Sequence, residues 1–105
     1  MSAAGEFLTE EYPVSTRFHA RAGNEKILLD VVPGTLGPVR GEGKCLSAQE
    51  FRAVNDPRSF LIRSLWVEES AYVRHRTLPH TREFLERVER LVDEPIESTD
   101  TKLIG

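Results

Sequence analysis

The alternation of apolar and polar residues between Tyr12 and Ala22 is the feature that most constrains how this chain can fold. One face of an extended segment would carry Tyr12, Val14, Thr16, Phe18, Ala20 and Ala22, and the other would carry Ser15, Arg17, His19 and Arg21. Successive side chains of a β-strand point to opposite sides of the sheet. The pattern therefore predicts a strand with one buried face.

A second apolar stretch covers residues 26–32, directly after Gly23 and Asn24. These two residue types tolerate the positive φ values that a tight turn needs. The stretch therefore predicts the second strand of an N-terminal antiparallel β-hairpin. Pro33 would end it, and residues 34–44, rich in glycine, would form an irregular loop.

Two segments further along carry helix signals. Ser47 and Glu50 have the spacing of a capping box, which predicts a short helix over residues 48–55. The apolar residues Phe84, Leu85, Val88, Leu91 and Val92 recur at helical spacing, which predicts a helix over 81–92.

Residues 59–78 fit two structures. A helix would align the apolar residues of this segment in one stripe, and the helix-start signal of Asp56 and Pro57 favours it. A hairpin over 60–78 would agree better with the β-branched and aromatic content. Both interpretations stay open on the sequence.

These elements predict an α+β fold in which an N-terminal antiparallel β-hairpin packs against C-terminal helices. The alternative is a ββαββα order with a second hairpin at 60–78. The expected organisation is a flexible acidic lead-in over 1–11, a single α+β domain over 12–95 and a polar acidic tail over 96–105.

The composition indicates in which cellular compartment the protein is expected and whether it has a membrane-spanning segment. Cys45 is the only cysteine, so an intramolecular disulfide is excluded, and a cytoplasmic location is expected. No apolar run has the length of about 18 residues that a membrane-spanning helix needs, so no membrane partner is expected. The net charge is −3, with acidic ends around a mildly basic middle.

The residue spacings in this sequence do not match those of known cofactor-binding or metal-binding motifs. Lys44 is followed by Cys45 rather than by the Ser or Thr that a phosphate-binding loop needs. His75 and His80 are five residues apart on either side of a proline, and the chain has no Cys-x-x-Cys pair. The sequence therefore predicts no catalytic motif, no cofactor and no metal site.

The remaining polar clusters suggest a binding surface. Arg17, His19 and Arg21 would line the outer face of the first strand, and Arg74, His75 and Arg76 lie together before Leu78. With Trp66 as an apolar anchor, they predict a small non-catalytic protein-interaction module. It would be a regulator, accessory subunit, inhibitor or antitoxin-like protein that binds an acidic partner surface.

Two other functions and a self-association remain open. The same basic residues would suit a nucleic-acid-binding regulator, since Lys and Arg neutralise phosphates. A small acid–base enzyme would use a histidine or Glu69, which a helical segment 59–76 would place within its apolar stripe. A homodimer is also compatible with the sequence.

Overall fold

The computed structural model describes residues 11–102 and 104. Within that range the elements follow the order β1 (Tyr12–His19), α1 (Glu25–Arg40), β2 (Cys45–Arg52), β3 (Ser59–Trp66), α2 (Glu69–His75), α3 (Pro79–Glu89) and β4 (Glu97–Asp100). The N-terminal lead-in that the sequence predicts lies outside the described residues, apart from Glu11.

The strands form one sheet in the order β2-β3-β1-β4, and each neighbouring pair is antiparallel. Strands β1 and β2 consequently run parallel to one another on either side of β3, and α1 joins them. This is the split β-α-β arrangement of ferredoxin-like folds. Strand β4, within the segment predicted to be a polar tail, completes the sheet by pairing with β1.

The predicted α+β class is confirmed, because an antiparallel sheet packs against helices. Strand β1 keeps the predicted alternation: Val14, Phe18 and Ala20 are buried, whereas Arg17 is exposed. The predicted helix over 81–92 is confirmed as α3, although it begins and ends slightly earlier, at Pro79 and Glu89.

The predicted second strand over 26–32 is wrong, since these residues belong to helix α1. Six residues of α1 at helical spacing are buried: Leu28, Val31, Val32, Thr35, Leu36 and Val39. Pro33 and Pro38 lie on the exposed side of this helix. Burial of the apolar stripe outweighs the backbone hydrogen bonds that the two prolines remove, because packing provides most of a helix's stability in a protein.

The predicted helix over 48–55 is also wrong. Residues 45–52 form strand β2, which pairs with β3 from Cys45↔Trp66 to Arg52↔Phe60. A capping box is a local signal of about 1 kcal/mol. Pairing along a whole strand satisfies many more backbone groups of both β2 and β3.

Neither interpretation of residues 59–78 is correct over its full length. The first part, Ser59–Trp66, is strand β3 and lies between β1 and β2. The second part, Glu69–His75, is the short helix α2. The hairpin that does form joins β2 to β3, so the first half of the segment pairs with the preceding residues rather than with the second half.

The core lies on one face of the sheet in two clusters. One surrounds Phe18, Leu28, Val32, Phe60 and Val88, and the other surrounds Trp66 and Tyr72. Ile62 packs against both. Among the described residues, no helix is long and apolar enough to cross a membrane.

Candidate functional site

A cavity of about 920 Å³ lies between the sheet and the helices, where the two core clusters meet. Its apolar wall comes from β1, α1, β3, α3 and the segment after α3, through Phe18, Leu36, Val39, Ile62, Phe84, Leu85, Val92 and Ile96. Its polar wall includes Thr16, Thr35, Ser64, Tyr72, His75 and Thr81. Charged residues also line the cavity: Arg21, Arg76, Glu89, Asp93, Glu94 and Asp100. An apolar wall combined with polar groups is a feature of small-molecule sites.

Aromatic rings from α2 line one end of the cavity and pack against Trp66 of β3. The ring of His75 lies 4.6 Å from Trp66 and 5.9 Å from Tyr72, measured between centroids. Trp66 is completely buried, and its indole N–H donates a hydrogen bond to Ser64 Oγ over 3.0 Å. Tyr72 and His75 face the cavity in front of this fixed indole.

Glu42 and His80 contact His75 from outside the cavity. Glu42 follows α1, and its Oε2 lies 2.7 Å from His75 Nδ1 and 3.0 Å from His80 Nε2. The hydroxyl of Thr81 lies 3.3 Å from the same His75 nitrogen. The Glu42 side chain is only 14% exposed, so its carboxylate has little water to replace these neighbours.

A second polar network lies at the C-terminal end of β1, around His19. The ring of His19 lies between two carboxylates, with Nδ1 at 2.6 Å from Asp93 Oδ1 and Nε2 at 3.0 Å from Asp56 Oδ2. Arg58 donates a second hydrogen bond to Asp93 over 2.7 Å. The network joins β1, the β2–β3 loop and the segment after α3.

These contacts shift the pKa values of the network in opposite directions. The hydrogen bond to Asp93, followed by the one to Asp56, raises the pKa of His19 above 6.5. The bond from His19 lowers the pKa of Asp93, and the backbone N–H of Arg58 lowers that of Asp56. The network therefore favours a protonated imidazole that donates to both carboxylates.

We expect this network to make the protein less stable as the pH rises above 6.5, the usual pKa of histidine. Because folding raises the pKa of His19, its contribution is complete below 6.5 and is lost as the pH passes the folded-state pKa. Urea unfolding from pH 6 to pH 9 should show this decline in the wild type but not in His19→Gln. Parallel curves for the two proteins would contradict the assignment.

The structure separates the basic residues that the sequence groups together. Arg17 and His19 lie in a small depression with three acidic residues, Asp56, Glu94 and Glu97. Arg21 instead lines the large cavity and donates to the carbonyl of Val92 over 3.1 Å. The three side chains thus form no continuous basic row.

The second basic cluster is divided as well. His75 and Arg76 line the cavity, and the guanidinium carbon of Arg76 lies 5.9 Å from the centre of the Tyr72 ring. Arg74 is exposed to solvent. Trp66, expected to be a partner anchor, has no exposed surface in this structure.

The predicted acid–base centre at Glu69 is not formed. Segment 59–76 is not one helix, and Glu69 lies exposed in the first turn of α2 rather than within an apolar stripe. Cys45 is half-buried at the start of β2, and its burial raises the pKa of the thiol. A raised pKa keeps the thiol protonated and unreactive.

Comparison with known proteins identifies the family. The antibiotic biosynthesis monooxygenase (ABM) family matches residues 12–87, which include β1 through most of α3. The chain belongs to the ABM family. No curated protein matches it significantly.

Solved structures share the ABM fold over nearly the whole chain. Rv0793 from Mycobacterium tuberculosis is 20% identical, with a TM-score of 0.83 over 90% of this chain and 96% of its own. PA3566 from Pseudomonas aeruginosa is 18% identical, with a TM-score of 0.83 over 93% and 98%. A structure described as an antibiotic biosynthesis monooxygenase is 16% identical, with a TM-score of 0.83 over 90% and 99%.

Family membership overturns the predicted function. The sequence predicted a non-catalytic interaction module with a regulatory role, whereas the ABM family is described as a family of monooxygenases. The prediction failed because no motif marks the cavity: Tyr72 and His75 share one face of α2, and Thr81 reaches them only through the packing of α3 beside α2. The sequence signal that was available is the polar, aromatic composition of residues 66–81, which is unusual for a simple core segment.

Proposed function

We propose that this ABM-family protein is a monooxygenase that acts on a small, planar, electron-rich organic molecule in the cavity between the sheet and the helices. The observation that carries the proposal is the cavity itself, with its apolar wall and its Tyr72–His75 end. Its volume of about 920 Å³ lies in the range of small-ligand sites.

The walls indicate the shape and polarity of the substrate. Phe18 and Phe84 meet edge to face, with centroids 5.9 Å apart, and Ile62 lies close to them in the same wall. Flat apolar surfaces of this kind suit an aromatic ring system. A polar substituent would be directed to the end of the cavity where Tyr72 and His75 lie.

The polar end suits a phenolic substrate. Removing the phenolic proton develops negative charge on the substrate oxygen, and the Tyr72 hydroxyl can donate a hydrogen bond to it. His75, held by Glu42 at 2.7 Å, is a group that can accept or return a proton. Oxygenation then places one atom of dioxygen in the substrate and reduces the other to water. The two electrons and two protons for that water come either from the phenolic substrate, which is itself oxidised, or from a separate two-electron reductant.

The test begins with binding, which needs no turnover. Trp66 is the only tryptophan of the chain and stacks behind His75, so its fluorescence should change when a ligand enters the cavity. A panel of polycyclic phenols would be titrated first. Those that bind would be incubated with ¹⁸O₂, with and without an added two-electron reductant, and the products analysed by mass spectrometry.

We expect one labelled oxygen atom in the product and a loss of activity on the order of 100-fold in Tyr72→Phe, as for removal of one preorganised donor. Tyr12→Phe is the matched control for loss of a tyrosine hydroxyl: its ring keeps its place 5.8 Å from that of Tyr72, and its hydroxyl bonds to Asp100 rather than lining the cavity. If no phenol binds, or if product oxygen comes only from water, the proposal is wrong.

Location and assembly also remain proposals. The proposal of a cytoplasmic location rests on the single cysteine.

Family membership is compatible with a homodimer. A dimer through the outer face of the sheet is supported by Phe51, which is 43% exposed and lies opposite Leu61 on the neighbouring strand. Sedimentation equilibrium would measure it.

A further inference from the structure

Three side chains with metal-binding atoms converge beside the cavity, although they come from separate parts of the chain. Glu42 follows α1, His75 lies in the last turn of α2, and His80 lies in the first turn of α3. One donor atom from each lies within 4.8 Å of the other two. The turn between the two helices brings the histidines together in a way that their spacing of five did not predict.

Hydrogen bonding within this cluster is incomplete. His80 Nε2 lies only 3.0 Å from Glu42 Oε2, yet the two atoms are not oriented for a hydrogen bond. Both ring nitrogens of His80 are buried without a hydrogen-bond partner in the part of the chain that the structure describes. The His80 side chain is 30% exposed, but a ring nitrogen that is buried without a hydrogen-bond partner is costly in a native protein and calls for an explanation.

A metal ion would explain this arrangement. Metal–nitrogen and metal–oxygen bonds of about 2.1 Å place neighbouring octahedral ligands about 3.0 Å apart. The two separations from Glu42 Oε2, 2.7 Å to His75 and 3.0 Å to His80, are close to that value. A shared ion between the three atoms would satisfy the His80 nitrogen that the protein leaves without a partner.

We propose that Glu42, His75 and His80 bind one divalent first-row transition-metal ion. Two imidazoles and one carboxylate are the ligand set of mononuclear iron(II) oxygenases and of some catalytic zinc sites. Because His75 belongs to both the cluster and the cavity wall, the ion would lie at the edge of the cavity. The proposal concerns binding and does not depend on the monooxygenase activity.

The chain contains a natural control for this site. His19, Asp93 and Glu94 also bring their donor atoms together. Both imidazole nitrogens of His19 bond to carboxylates, at 2.6 Å and 3.0 Å. In the first cluster only His75 is bonded in this way, to Glu42 at 2.7 Å, while both nitrogens of His80 lack a hydrogen-bond partner. This difference makes the His19 cluster the control.

The test is a titration of the untagged, chelator-treated full-length protein with cobalt(II), followed by visible absorption and calorimetry. We expect one ion per chain. Loss of an outer-shell partner commonly weakens metal binding 10–100-fold. Removal of a ligand in Glu42→Gln or His80→Asn should therefore weaken it on the order of 100-fold or more. His19→Asn and the surface variant Glu83→Gln should bind as the wild type does.

Three results of the cobalt titration would overturn the proposal. They are the absence of cobalt binding, binding that is unchanged in each of the single variants Glu42→Gln and His80→Asn, and loss of binding in His19→Asn. Circular dichroism of each variant shows whether it is folded. Competition of iron(II) and zinc with bound cobalt identifies the preferred ion. Since no substrate is present, failure here leaves the monooxygenase proposal untouched, and the reverse also holds.

Discussion

Replacing Trp66 with alanine is expected to lower the free energy of unfolding by about 3–5 kcal/mol, the usual cost of truncating a buried aromatic residue. Trp66 has no exposed surface and belongs to a core cluster with Val14, Leu36, Val39, Ala48, Ala71 and Tyr72. Domains of this size are stable by about 5–15 kcal/mol in total. Guanidinium unfolding followed by circular dichroism measures the loss.

The same substitution should disturb the cavity, because the indole supports the rings of Tyr72 and His75. Trp66→Phe is the control: it loses the hydrogen bond to Ser64 but keeps an aromatic ring, so its cost should be clearly smaller. If Trp66→Ala unfolds at the wild-type midpoint, Trp66 is not part of the core and the orientation of α2 on the sheet is wrong.

Replacing Leu28 with alanine is expected to cost about 2–5 kcal/mol, whereas Ile27→Ala should cost less than about 1 kcal/mol. Leu28 is fully buried against Phe18 and Phe60, while Ile27 is 46% exposed. The pair tests how residues 26–32 fold. Thermal and urea unfolding of the two variants, compared with the wild type, measures the difference.

Val31 separates the two interpretations of this segment. In a strand, Ile27, Leu29 and Val31 would share one face, opposite Leu28. In helix α1, Leu28 and Val31 share the buried face and Ile27 is excluded. Large losses for Leu28→Ala and Val31→Ala together support the helix. A large loss for Ile27→Ala together with Val31→Ala, and a small one for Leu28→Ala, would support the strand instead.

The errors of the sequence interpretation have a common cause. Pro33 and the glycines of 34–44 are strong local breakers, and Ser47 with Glu50 is a strong local helix start. Each is a signal of about 1–3 kcal/mol in isolation. In the folded chain α1 buries a continuous apolar stripe and β2 pairs along β3, and these larger contributions decide the outcome.

The candidate site was missed for a different reason. The sequence places His75 in a basic cluster, and a helix does not bring residues five apart, such as His75 and His80, onto one face. Two helices joined by a short turn do so, and Glu42 reaches them from a distant loop. The sequence of each segment, taken alone, does not reveal how close the three side chains lie in the folded protein.

The amino-acid sequence by itself determined the buried face of β1, the helix that became α3 and the α+β class. Each of these follows from the periodicity of apolar residues along the chain. An apolar face must be buried, whichever element packs against it. Only the tertiary structure decided that residues 25–40 are helical, that 45–52 is a strand, and that Tyr72 and His75 line one end of a cavity with Glu42 and His80 behind His75. Those outcomes depend on which surfaces meet, and long-range packing energies settle that question against weaker local preferences.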